Sequence, residues 1–83
     1  MEAIDSLKRN DEVTVAIWGP TNTCLYKTTG NGYHSLESAV SAAIERANLE
    51  TSPEDCVFEV TNQTTGVSHR YRLNAHGHLK LII

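Results

Sequence analysis

Four groups of residues in this chain have types and spacings that suggest chemistry. The first is His76-Gly77-His78 with His69 seven residues earlier. Three imidazoles can hold one transition metal, with Cys24 or Cys56 completing the tetrahedral set that zinc takes. The pattern falls short of a closed site, because His76 and His78 bracket a turn glycine and Cys56 falls in the inward set with Phe58 and Val60, facing the helix. Solvated turn histidines are therefore expected, and no metal or other cofactor is assigned.

The second group is the two cysteines, either of which would become a nucleophile beside a histidine base. No local signature surrounds them, and Cys56 reads as a small buried hydrophobe. The third group is polar loops. Glu54-Asp55 lies in a connector and suits capping. Gly30-Asn31-Gly32 precedes a helix but lacks the lysine and spacing of a phosphate loop. A deep cleft is also hard to build in a chain this short. No catalytic residue and no small-molecule substrate are assigned, and an enzyme is not expected.

The fourth group is Arg70, Arg72 and Lys80, with Trp18 far upstream. Arg70 and Arg72 alternate along one strand, so both point to the same side of a sheet. The 83 residues carry a net charge of −3, unevenly placed. Residues 1–59 hold ten acids and four bases, a balance of −6, whereas residues 60–83 hold three bases and no acid. One basic face on an acidic protein is the expectation.

These residues need elements to position them. Ser35 to Leu49 is the one long run with a helical period. Leu36, Ala39, Val40, Ala43, Ile44 and Ala47 stack along one stripe. Ser35 is a natural N-cap, and Glu37 and Arg46 suit the two ends of the helix dipole. Glu12 to Trp18 alternates as a half-buried strand, with Val13, Val15 and Ile17 on one side and Ala16 and Trp18 on the other. Gly19 to Asn22 is a turn, and Thr23 to Thr29 returns as a strand. Its inward set is either Cys24 with Tyr26, or Leu25. Cys56 to Thr61, Val67 to Leu73 and Leu79 to Ile83 supply three more strands, separated by the glycine-containing turns at Asn62–Gly66 and Asn74–Gly77. Residues 1–11 read as a short helix or arm.

The expected fold is a single α+β domain over residues 1–83, ordered β-β-α-β-β-β, with one main helix on one face of an antiparallel sheet of about five strands. The expected core is Val13, Val15, Ile17, Phe58, Val60, Tyr71, Leu73, Leu79 and Leu81 beneath the helix stripe. The first and last strands are the expected free edges, where self-association would pair two copies. With 40% apolar and 20% charged residues, the composition is globular. No apolar run reaches the roughly 20 residues that span a bilayer, and the opening residues lack the apolar stretch of a secretion signal. A reducing cytoplasm and no membrane partner are expected.

The sheet face away from the helix is then the surface to examine. Trp18, Val57, Arg70, Arg72, Lys80 and Ile82 are expected to point outward there, with Ala16 extending the apolar patch. Arg and Trp are the residue types that anchor protein interfaces. The first expectation is a small non-catalytic protein-interaction module of adaptor, regulator or inhibitor type, binding a partner or a second copy. The alternative is a nucleic-acid-binding domain using Arg70, Arg72 and Lys80 on phosphates and Trp18 on bases. Outward Glu12 and Glu59 oppose that alternative.

Overall fold

The structure is a computed structural model and describes residues 10–82. The predicted arm lies outside the described residues, apart from Asn10 and Asp11. The strands are β1 (Val13–Trp18), β2 (Cys24–Gly30), β3 (Val57–Asn62), β4 (Val67–Leu73) and β5 (Leu79–Leu81), and the helix is α1 (Leu36–Ala47). A short 3-10 turn, Pro53–Asp55, leads into β3. The order is the predicted β-β-α-β-β-β, and all neighbouring strands run antiparallel.

The strand order is β2-β1-β3-β4-β5. The first strand is therefore interior rather than an edge: β1 pairs with β2 on one side and β3 on the other. The reason is the crossover. After β2, the chain rises through α1 and returns on the far side of β1, so the helix spans the pair it has just left. Among the described residues, the edge strands are β2 and β5.

Helix α1 starts and stops where its residues dictate. The Ser35 hydroxyl accepts a hydrogen bond from the Ser38 N–H at 3.1 Å, satisfying a donor that the first turn leaves open. Asn48 ends the helix in the left-handed region, at φ 51°. Leu36, Ala39, Val40 and Ala43 face inward and are buried. Ala39 and Ala43 are fully covered, and their small side chains let the helix axis lie close to the sheet. Beneath them lie Val13, Val15, Ile17, Phe58, Val60 and Tyr71.

The helix covers β1 and β2, while the 3-10 turn lies against β4. Three expected core residues therefore fare differently from the rest. Leu73 and Leu79 are only partly buried, and Leu81, on the helix-facing side of edge strand β5, is 40% exposed. A twelve-residue helix is not wide enough to reach the outer hairpin of a five-stranded sheet.

The two later turns use the same device. The Asn62 side-chain oxygen accepts from the Thr64 and Thr65 N–H groups at 2.9 and 3.2 Å. The Asn74 oxygen accepts from His76 and His78 at 2.9 and 3.0 Å. Each asparagine thus mimics a turn of backbone. Gly66 and Gly77, both at φ 80°, supply the left-handed residue these turns need.

Strand β2 resolves the alternatives left open by its sequence. Ile17 pairs with Tyr26, but Trp18 pairs with Cys24, so Leu25 is an extra residue in a β-bulge. The bulge puts Tyr26 on the helix side and Cys24 on the opposite side, although the two are only two residues apart. Leu25 is 43% exposed and leans over Gly19, where an added Cβ would lie 3.1 Å from its methyl group.

Candidate functional site

The sheet face opposite α1, helix-free among the described residues, is assembled in cross-strand rows. Strand register fixes them, because residues directly opposite share a face. One row runs Lys27, Ala16, Glu59, Arg70 across β2, β1, β3 and β4. A second runs Thr29, Thr14, Thr61, Ser68. A third holds Cys24, Trp18 and Val57, and continues through Arg72 to its partner Lys80 on β5. Ile82 follows β5 and donates its backbone N–H to the Arg70 carbonyl at 2.9 Å, which places it beside Arg70 on the same side. All six residues expected on this face, Trp18, Val57, Arg70, Arg72, Lys80 and Ile82, are brought together.

The centre of the face is a polar relay. The Trp18 indole N–H donates to Glu59 Oε1 at 3.2 Å. The other carboxylate oxygen of Glu59 lies 3.7 Å from Arg70 Nε. Glu59 therefore sits between an indole and a guanidinium drawn from the two flanking strands. The carboxylate thereby orients the indole of Trp18, whose ring is half-buried. The Arg70 side chain remains 60% exposed, so the ion pair itself is a weak contributor to stability.

The hydroxyl row is likewise satisfied. Thr14 and Thr29 share a hydrogen bond at 2.8 Å, Thr61 and Ser68 share one at 2.9 Å, and Gln63 donates to the Thr14 hydroxyl at 3.0 Å. Thr14 and Ala16 are 5% exposed, although α1 lies on the other face of the sheet. Longer side chains on both neighbouring strands rise around these two small residues. Ala16 is thus not part of an exposed apolar patch, as its outward direction had suggested. It is the floor of a groove.

Two concavities adjoin Trp18. The groove, about 360 Å³, runs over Thr14 and Ala16 between Lys27 and Glu59. The second, a notch of about 130 Å³, is bounded by Trp18, Pro20, Asp55, Val57, Arg70 and Arg72. The indole lines both. Sequence reasoning missed Lys27 and the turn residues Pro20 and Asn22. Lys27 would have been found by alternating outward from a β2 whose facing was known. The bulge hid that facing.

The other chemical candidates are dispersed. His69 is half-buried on the helix-facing side, edge-on to Tyr71 with ring centroids 6.4 Å apart. His76 and His78 are exposed in the β4–β5 turn. No group of three His, Cys, Asp or Glu side chains suited to a metal ion occurs among the described residues. Cys24 is exposed on edge strand β2, at the opposite edge of the sheet from the histidine turn. Cys56 is completely buried, with its thiol 3.6 Å from the Ser52 carbonyl. Burial, reinforced by neighbouring Asp55, raises its pKa and keeps it a neutral thiol. Burial likewise raises that of Tyr71. No helix among the described residues is long and apolar enough to cross a membrane.

Compared with known proteins, the chain matches no family model, no curated protein and no solved structure. The functional reading therefore rests on the side chains of this face.

Proposed function

We propose that this domain is a small non-catalytic protein-interaction module that binds through the helix-free face of its sheet. The observation that carries the reading is the Trp18–Glu59–Arg70 relay. A tryptophan oriented by its own indole N–H, and flanked by two concavities, is a pre-positioned anchor. Holding a large ring in place before binding lowers the ordering cost that association must meet. Aromatic and arginine side chains at the centre of a patch also account for most of the binding energy in protein interfaces. The exposed free thiol of Cys24 suits a reducing compartment such as the cytoplasm.

Self-association is one form of this reading. The edges open to a second copy are β2 and β5, since β1 has both neighbours. Nucleic acid is less well suited. Glu59 stands in the middle of the basic residues and would face any phosphate backbone laid across them.

The test is Trp18→Ala, assayed by capture from source cells and by light scattering across a range of concentrations. Partners or oligomers retained by the wild-type chain should be lost, with the circular dichroism spectrum unchanged. Equal capture and equal mass for both proteins would refute the reading.

A further inference from the structure

The charges on the face specify its partner further. Five Lys and Arg residues lie among the described residues, and four of them, Lys27, Arg70, Arg72 and Lys80, stand on the helix-free face. Among the described residues, Glu59 at the centre, Glu12 at the margin just before β1 and Asp55 on the wall of the notch oppose them, in a chain whose net charge is −3. Within the set, the cations are not equivalent. Arg70 is occupied by Glu59. Arg72 and Lys80 face each other directly across β4 and β5, both exposed. Among the described residues, neither has a carboxylate within ion-pair distance. Like charges directly opposite in a sheet disfavour folding, so this pair is a local conflict that an incoming anion would relieve.

Arg72 of this pair lines the notch beside Trp18 and Val57, which has room for one side chain. We propose that the partner is an acidic protein segment, whose carboxylates meet Arg72 and Lys80 while an apolar side chain lies against Trp18 and Val57. This rests on the interaction reading above and narrows it to one chemistry. A carboxylate fits the unpaired cations singly, at the end of the face. A nucleic-acid strand brings a continuous line of phosphates, and these would cross Glu59, whose charge is fixed at the centre by Trp18 and Arg70. Ile82, 39% exposed beside Arg70, extends the apolar contact toward β5.

The experiment is selection of a random peptide library against the folded chain and against the Arg72→Glu/Lys80→Glu double variant. Both substitutions are on exposed side chains, and a matching thermal melt confirms that the variant is folded. Wild-type protein should enrich peptides that combine Asp or Glu with an apolar residue. The double variant should bind those peptides at least about tenfold more weakly, the scale of a lost close charge pair, and should select neutral or basic ones instead. Tryptophan emission, which reports Trp18 alone as the sole tryptophan, should shift on titration with the selected peptides. Enrichment of neutral or basic peptides by the wild type, lost in Trp18→Ala, would overturn the acidic partner and leave the interaction module standing. Failure to enrich any peptide whose binding depends on Trp18 would remove both. Tighter binding of single-stranded oligothymidine than of any selected peptide would replace the protein partner with nucleic acid.

Discussion

Neighbouring residues of the same strands make the two faces of this sheet, and the faces are held by different forces. Ile17, Phe58 and Tyr71 lie under the helix side with at most 1% of their surface exposed. Trp18, Glu59 and Arg70, the next residues along or back, meet on the other side through one hydrogen bond and one long ion pair. The first set is stabilised by burial, which is non-directional and grows with area. The second is held in place by directional polar contacts that contribute little energy but fix orientation. The stabilising face resists change in any of its large residues. The polar face can be rewritten with small cost to the fold, which is the property expected of a surface shaped for recognition.

Paired substitutions sharpen that contrast. The largest difference should come from the aromatics. Phe58→Ala should lose about 3–5 kcal/mol, most of the stability of a domain this small, as seen in the urea midpoint. Trp18→Ala removes a half-buried ring and should cost only about 1–2 kcal/mol on the same measurement. Equal losses would mean that the two faces are not distinct. A smaller difference is expected between Ala43→Leu and Thr14→Val. Ala43 is completely buried between helix and sheet, so added methyl groups should destabilise by about 1–3 kcal/mol. Thr14→Val keeps its volume on the open face but gives up the bonds to Thr29 and Gln63, a loss of about 1 kcal/mol.

The smallest effect is on the thiols. Native protein should react with a disulfide reagent quickly at Cys24 and only upon unfolding at Cys56. Cys56 also adds a pH dependence with a definite sign. Its folded pKa lies above the unfolded value, so the native state holds the proton more firmly. Stability is then unaffected below the unfolded thiol pKa and declines as pH rises through it toward the folded value. Tyr71 acts in the same direction at higher pH. Cys56→Ala should flatten the alkaline decline nearest the thiol range in urea titrations, and Cys24→Ala should not.

The sequence displayed the helix, its caps, the strand succession and the alternation that splits Trp18 from Ile17. These are local properties, written in periodicity and in capping residues such as Ser35. The six-residue outward set followed from the same alternation once the strands shared one sheet. What was illegible depends on distance. Nothing in Val13 to Trp18 indicates that it lies inside the sheet, because that is decided by where the chain returns after α1. The bulge at Leu25 hides in a run of suitable strand residues and reverses the facing of Cys24 relative to Tyr26. The exposure of Leu81 reflects how far one helix extends. The burial of Ala16 reflects neighbours that come from strands on both sides. Glu59 was readable as an outward acid opposed to phosphate, but its place between Trp18 and Arg70 required the register of three strands.

The interior position of β1 has a consequence for how the chain reaches this state. Its first neighbour, β2, arrives after only the turn residues between Trp18 and its partner Cys24, whereas Asn62, the partner of Val13 on the other side, lies far downstream. If the β1–β2 hairpin closes before β3 arrives, the amides and carbonyls of Val13 to Trp18 that bond β3 in the finished sheet are bare, next to greasy side chains with nothing yet above them. In such an interval the vacant place of β3 is open to the strand of another unfinished copy, so the interior position of β1 makes the order of pairing matter to how cleanly the chain folds.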